Sequence, residues 1–361
     1  MKALFSKKAK TTIGLDIGTK YIKAISLDIT DTGTKVTGFA CEPILGNAFA
    51  EREIKDFDAI SKALKKVKLA LKVKSKICAL AVSGSSVISK LIYMEPNQTD
   101  FELEGQIELE ADSLIPYPLS EVYLDFEELR PSEIHNGKVE VLLSVAHKDM
   151  VDSRITVVRE TPFEPVIIDI ESNALGESFM AYGPHSETGL EQADDNVVCC
   201  VNVGASLLQL TVLLNNSVIY AKEHAFGLNK LNQDLSLIYG IDLAEVESQI
   251  GSGNAPKEWF VESVPSFYAN LQQQIQRALQ MYVATTHKPM PNVVYICGGL
   301  ANLPGAIEEL EAELGLDVKC FNPVAKMTVD EAVNQDRLLE IGPQLAIAVG
   351  LAKRKREAWQ K

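Results

Sequence analysis

The chain has 361 residues, 46% apolar and 23% charged, which is enough for two hydrophobic cores and excludes a disordered, collagen-like or coiled-coil protein. Its 49 acids against 35 bases give a net charge of -14, and this argues against a nucleic-acid partner, because phosphate contact needs a concentrated basic face. No run reaches the ~20 apolar residues of a membrane span, since residues 197–214 are broken by Asn202, Ser206, Gln209 and Thr211.

The N-terminus, MKALFSKKAK, is basic without the apolar stretch of a signal peptide, so a cytoplasmic protein with at most peripheral membrane contact is expected. A strand over 12–17 runs to Gly18 and resumes over 21–27, a hairpin signal. Asp58 then reads as the N-cap of a helix carrying Ile60, Leu64, Val67 and Leu71 inward. Seven lysines and no acid fall between Ile60 and Lys76, a solvated helix face on the plainest reading. Residues 77–82 read as a core strand. From Ser83 to Glu160 the texture changes: Pro96, Pro116, Pro118 and Pro131 punctuate an acidic helix over 101–113 and strands over 122–126 and 139–146. Nine acids and no base lie between Phe101 and Leu129. This is the pattern of an inserted small α+β subdomain. A strand over 165–170 and a helix over 171–182 follow, then a polar linker over 183–195 that marks the lobe boundary.

The second half repeats the opening, with three strands separated by a Gly turn and by Asn215-Asn216. A helix over 266–286 lines up Phe267, Leu271, Ile275, Leu279 and Tyr282. A strand over 293–296 leads into Gly298-Gly299, and a helix beginning near Pro304 turns Ile307, Leu310 and Leu314 inward and stops at Gly315. The expected division of this α/β chain is a first lobe over 1–82 and 161–182, an insert over 83–160 and the linker. A second lobe covers 196–340, and a C-terminal helix over 341–361 returns towards the first lobe. The cysteines at 41, 78, 199, 200, 297 and 320 form no C-x-x-C pair and read as buried free thiols, with Cys199 and Cys200 on opposite strand faces.

Two strand-Gly-strand hairpins head the two halves: Asp16-Ile17-Gly18-Thr19-Lys20 and Asn202-Val203-Gly204-Ala205-Ser206. Glycine lets the backbone approach a phosphate, and the neighbouring amides and the hydroxyls of Thr19 and Ser206 donate to its oxygens. Asp16 is placed to hold a hydrated magnesium ion, which takes only one or two carboxylates. A solitary D-x-G-T is most often an ordinary tight hairpin; two such hairpins, in order with a third loop, point to a nucleotide cleft. The third loop, Gly298-Gly299-Leu300, closes a strand and opens a helix, leaving flat room for a base or ribose. Glu171, just past the crossover strand, could orient a water near a terminal phosphate, though a helix N-terminal Glu is the commoner explanation. The five histidines lack metal-ligand spacing, and neither a G-x-S-x-G elbow nor a Walker A motif is present. Lys7, Lys8, Lys10 and the 353–356 basic run could touch anionic lipid at ~1 kcal/mol each, or be frayed and solvated.

The segments GLDIGTKYIK, IELEADSLIPYPLSEVYLDFEEL, VIIDIESNAL, KEHAFGLNKLNQDL and FYANLQQQIQRALQMYV together span nearly the whole chain. They resemble the PilM family of type IV pilus assembly proteins, relatives of FtsA within the actin/Hsp70/sugar-kinase superfamily. The resemblance implies an actin-like, ribonuclease H-like two-lobed fold with a small subdomain inserted as in FtsA, and ATP with Mg2+ between the lobes. It carries Gly227 and Asn229 to the nucleotide site and leaves Glu245 as the ribose acid, with Ser248 or Gln249 near the expected lysine. Where the family usually has Asp, this chain has Asn202, so binding is expected with at most weak hydrolysis.

The partner implied is the cytoplasmic N-terminal segment of a bitopic inner-membrane protein, PilN, docking on the 83–160 region. There Ile115-Pro116-Tyr117-Pro118 is the distinctive segment, although by itself it reads as a proline-stiffened loop. Association with the inner membrane would be through partners, among them other pilus components, and a homodimer is compatible with it. Rival readings are a small-molecule kinase of the superfamily, a filament-forming FtsA-like ATPase, and the cytoplasmic part of a type II secretion protein.

Overall fold

The computed structural model describes residues 12–50, 52–132, 135–184, 197–214 and 217–354. Most of the expected linker, the Asn215-Asn216 turn, Lys7, Lys8, Lys10, Lys355 and Arg356 lie outside the described residues. The first lobe opens with β1 (Ile13–Ile17), β2 (Tyr21–Thr30) and β3 (Gly33–Pro43). A short hairpin, β4 (Phe49–Ala50) and β5 (Glu53–Ile54), precedes α1 (Phe57–Leu71) and β6 (Ile77–Val82). Helix α1 begins two residues earlier than the sequence suggests, because Asp56 rather than Asp58 has the extended backbone of a cap and accepts from the Ala59 N–H at 2.9 Å.

The chain then makes an excursion through β7 (Val87–Met94), α2 (Asp100–Leu114), β8 (Val122–Pro131) and β9 (Val139–His147). These form a separate sheet in the order β7-β9-β8 with its own core, including Met94, Leu103, Ile107, Val141 and Leu143. Helix α3 (Lys148–Arg159) belongs elsewhere: Val157 and Val158 pack with Ile60, Leu64 and Leu80 of the first lobe. The excursion therefore closes at His147 rather than at Glu160. Strand β10 (Glu164–Ile170) and α4 (Glu171–Tyr182) complete the lobe.

The second lobe repeats the plan with β11 (Val197–Val203), β12 (Leu208–Leu214) and β13 (Ser217–His224). Helices α5 (Leu228–Tyr239), α6 (Leu243–Gly251), α7 (Lys257–Glu262) and α8 (Val264–Thr286) follow, then β14 (Val293–Gly298), α9 (Ala306–Leu314) and β15 (Asp317–Cys320). The chain returns through β16 (Thr328–Val329), α10 (Gln335–Ile341) and α11 (Ala346–Lys353). The apolar run over 341–351 is not one helix, because Gly342-Pro343 ends α10 and a 3-10 turn separates it from α11. Among the described residues no helix is long and apolar enough to cross a membrane.

The sheets read β10-β6-β1-β2-β3-β16 and β13-β12-β11-β14-β15. In each, an antiparallel meander is extended on its first strand by parallel partners, so β1 and β11 are equivalent central strands. Cys199 and Cys200 bury on opposite faces of β11, as the alternation of a strand requires. The six thiols are free, but Cys41 is half-buried and Cys320 exposed, because β15 is an edge strand.

Helices α4 and α11 join the lobes through one cluster that draws Ala79, Ala81, Leu175 and Phe179 together with Cys200, Tyr295, Phe321, Ile347 and Leu351. Two glycines allow the contact. A Cβ on Gly14 would lie 1.8 Å from the Ala348 carbonyl oxygen, and one on Gly350 would lie 1.8 Å from that of Ala174. Gly350→Val is expected to destabilise the chain by about 3 kcal/mol or more, because both obstructing atoms are backbone and cannot step aside. Urea denaturation checks this; an unchanged midpoint would refute the contact.

Candidate functional site

Equivalent central strands end in equivalent turns. The Gly18 N–H donates to the Tyr21 carbonyl at 3.1 Å, and the Gly204 N–H donates to the Leu207 carbonyl at 2.9 Å. Each turn is then anchored from behind. Ile44 N–H donates to the Lys20 carbonyl, and the first amides of α5, Leu228 and Asn229, donate to the carbonyls of Gly204 and Ala205. Gly227 serves that second anchor: a Cβ there would sit 2.5 Å from the Ala205 carbonyl oxygen. The tips meet across the lobes, with Thr19 Oγ1 and Ser206 Oγ 3.1 Å apart. Both turns face one cavity of about 1110 Å³.

Every cation on the cavity wall stands beside an acid. Lys23 Nζ lies 2.6 Å from Asp16 Oδ2, Lys20 Nζ lies 2.6 Å from Glu247 Oε1, and Arg337 pairs with Glu340 at 2.7 Å. The Arg52 guanidinium pairs with Glu171 and also donates to Ser83 Oγ. Gln209 extends this polar chain. Its Nε2 donates to Glu171 at 2.7 Å and to Glu223 at 3.1 Å, while its Oε1 accepts from Asn202 Nδ2 at 2.7 Å. Glu223 in turn accepts from the Gly84 N–H at 2.7 Å. Burial pushes the Glu171 carboxyl up, but Arg52, Ser83, Arg154 and Gln209 outweigh it and hold it below the ordinary carboxylate range. Asp16 goes the other way, because burial exceeds the help it receives from Lys23.

The structure brings most of the expected residues to this one wall: Asp16, Gly18, Thr19, Lys20, Glu171, Asn202, Gly204, Ala205, Ser206, Asn229, Gly298 and Gly299. Three stand back from it. Gly227 supports the turn from behind, Leu300 is fully buried in the second-lobe core, and Glu245 bonds along its own helix to Gln249. Two positions further along α6, Glu247 sits on the helix face turned to the cavity. Gly298 is required by the protein itself, since its φ is 82° and a Cβ would meet Asn202 Oδ1 and the Val203 carbonyl at 2.5 Å. It is not there merely to leave room for a ligand.

Lys23, Arg52, Gln209 and Glu247 were not singled out by the sequence. Only Lys23, seven residues after Asp16 on the next strand, carried a legible signal. The Ile115–Pro118 segment is remote from the cavity. Ile115 is buried in the insert core, Pro116 and Pro118 are exposed, and Tyr117 is half-buried. The Tyr117 hydroxyl donates to the Ser85 carbonyl at 3.4 Å, and its ring meets His147 edge-on at 5.9 Å.

The donor set fits a polyphosphate: two glycine turns, two facing hydroxyls and two lysines. The side-chain carbonyl oxygens of Asn229 and Asn232, buried and unbonded at the wall, are acceptors and suit ligand hydroxyl or amino groups rather than phosphate. For magnesium the fit is thinner. Asp16 is already paired with Lys23, and the described residues hold no cluster of three or more potential ligands.

The chain matches the model of the family described as type IV pilus assembly protein PilM over residues 14–356. It is similar to a solved chain of a PilM-PilN type IV pilus biogenesis complex, with 22% identity over 95% of this chain and 97% of that one and a TM-score of 0.80. It is also similar to the ethanolamine utilization protein EutJ from Carboxydothermus hydrogenoformans, with 16% identity over 94% and 88% and a TM-score of 0.54. The fold is the actin-like, two-lobed α/β fold with an inserted small subdomain that the sequence led us to expect.

Arg52 sets the charge state of Glu171, and the consequence is measurable. Above the ordinary Glu range the ionised, depressed Glu171 contributes stability that is lost as pH falls through its folded value. Arg52→Ala leaves burial as the dominant influence, so the carboxyl rises and the chain loses about 3–5 kcal/mol at neutral pH. That loss shrinks as pH falls and Glu171 protonates, and adding Glu171→Gln recovers most of it. Urea midpoints at pH 7 and pH 5 check both points; equal losses at the two values would refute the pairing.

Proposed function

The chain belongs to the type IV pilus assembly protein PilM family, and on that footing we propose that it is a nucleotide-binding scaffold of the pilus assembly complex at the inner membrane, whose ligand is ATP. The observation that carries this reading is the meeting of Thr19 and Ser206, from turns 187 residues apart, at the wall of one cavity. Gly18, Thr19 and Lys20 would hold the phosphates from one lobe and Gly204, Ala205 and Ser206 from the other. Magnesium, which would balance phosphate charge, would be held through water by Asp16.

Hydrolysis is slow on this reading. Asn202 adds no negative charge and spends its amide on Gln209, while both Glu171 oxygens are engaged by Arg52 and Gln209. A general base must be free to take a proton. The nucleotide then acts as a ligand that favours one lobe arrangement over another.

The partner is the cytoplasmic N-terminal segment of a PilN-like membrane protein, seated where the inserted sheet meets the first lobe. Other inner-membrane pilus components and a second copy of this chain are further partners that the reading accommodates. A physical connection between cleft and insert supports it. Arg52 and Glu223 bond to Ser83 and Gly84, where the chain leaves for the insert, and Tyr117 bonds to Ser85 beside them. Gly84, at a φ of 113°, is the residue on which that junction turns.

Two measurements test the reading. Labelled ATP should bind saturably in magnesium, and Asp16→Asn should weaken that binding about tenfold without weakening the binding seen in chelator. The reason is that this change removes the carboxylate and frees Lys23. Absence of saturable wild-type binding would end the nucleotide assignment. Separately, an immobilised PilN-type N-terminal peptide should capture the chain. Replacing residues 86–147 with a short Gly-Ser link should abolish capture while sparing Val157 and Val158 in the first-lobe core. Retained capture would move the partner site elsewhere.

A further inference from the structure

Helix α1 presents an unusual outer face for so acidic a chain. Lys62, Lys65 and Lys66 are exposed on it, and Lys72, Lys74 and Lys76 are exposed on the turn that follows. No ion pair joins any of these six to an acid among the described residues. Lys68, between them, is tied instead to the Val73 carbonyl at 2.9 Å and stands over the Phe163 ring. Its ammonium is pushed down by burial and by repulsion from Lys76. Asp56 and Asp58 stand at the start of α1, Asp56 on the same groove as Lys62 and Lys66, and Glu164 lies beside Lys76. At 100° per residue, Lys65, Leu69, Lys62 and Lys66 fall in that order within one arc of the helix, with Leu69 flanked by Lys65 and Lys62. Leu69 is 78% exposed, and Leu45, 69% exposed, shares a shallow groove with Lys62 and Lys66.

Like charges one turn apart destabilise a helix, so this arrangement works against α1 unless something outside the chain compensates it. The chemistry narrows what that is. The patch has no arginine to grip one oxyanion in a fork, and lysines on flexible stems suit many anions spread over a plane. An exposed leucine amid lysines matches the boundary between headgroups and acyl chains, where apolar side chains insert beneath a basic rim. We propose that this face of α1, with the 72–76 turn, is a docking surface for an anionic lipid bilayer. Since the chain carries a net charge of -14, an anionic bilayer repels most of its surface, and this unpaired lysine face is one that can approach it, so contact here also fixes orientation. The proposal is independent of the nucleotide and peptide readings.

The test uses the full purified chain and sedimentation with vesicles of phosphatidylcholine, with or without a quarter phosphatidylglycerol. Wild type should bind only the anionic vesicles, and tenfold or more weakly as salt rises from 50 to 300 mM. Each lysine near an anionic surface strengthens binding about fivefold, so Lys62→Gln, Lys65→Gln and Lys66→Gln together should weaken it about 100-fold. Leu69→Ser should weaken it several-fold and leave the salt dependence unchanged. These positions are exposed, and a thermal midpoint no lower than that of wild type shows that the variants fold. Failure of wild type to prefer the anionic vesicles, or full binding by the triple variant, overturns the proposal. So does equally tight binding of a soluble poly-glutamate peptide that is indifferent to Leu69→Ser, since the occupant would then be an acidic protein segment.

Discussion

The arrangement depends on backbone lying against backbone where the two lobes join. Helix α11 presses on β1 at Gly14 and on α4 at Gly350, and at both places hydrogen occupies the space where any side chain would collide with a carbonyl oxygen. Packed interiors transmit displacement rather than absorb it. The tips of two turns carried on different sheets arrive within hydrogen-bond distance of each other, and the approach of Thr19 to Ser206 depends on small residues on β1, α4 and α11. Those two helices, α4 and α11, also carry apolar contacts between the sheets.

Within the cleft, the pairing of each cation with an acid decides which charge can respond to a ligand. Lys20 and Glu247 are each about three-tenths exposed, and a pair so hydrated is worth roughly 0–1 kcal/mol. Asp16 and Lys23 are far more enclosed, and parting a buried pair leaves a desolvated charge behind. Under the proposed reading a polyphosphate recruits Lys20 by releasing Glu247, while Lys23 keeps its partner and contributes through the field of the pair. The lobes are clasped at that same Lys20–Glu247 contact, so occupancy and closure compete for one ammonium.

The strands, the two glycine turns and the repeat of order between halves were legible because each rests on local signals: alternation, apolar runs and the glycines that interrupt them at 18 and 204. The placement of Arg52, Gln209 and Glu223 was not. Arg52 meets Glu171 across 119 residues, and nothing near it in the chain distinguishes it from a surface arginine. Glu245 and Glu247 illustrate the same limit at short range. Both fit an acid on a helix, and only the packing of Val246 into the second-lobe core decides which faces the cleft. The misplacement of α3 in the insert has a similar cause, since its composition suits either sheet and only Val157 and Val158 choose the first.

The Ile115–Pro118 segment is distinctive in sequence yet lies away from the cavity. Its two prolines fix the backbone on either side of Tyr117. The tyrosine touches both of the insert's roots, Ser85 in the turn before β7 and His147 at the end of β9, while Ile115 is consumed by the subdomain core. A strap across both roots restrains rotation of the insert about Gly84, the residue whose N–H is held by Glu223 from the opposite lobe. Gln209 binds Glu223 and Glu171 with one nitrogen, so a change in how the second lobe presents Gln209 is felt at the root of the insert. Under the proposed reading, prolines that limit the states of this junction would let the small differences in lobe position that a bound ligand produces reach the insert.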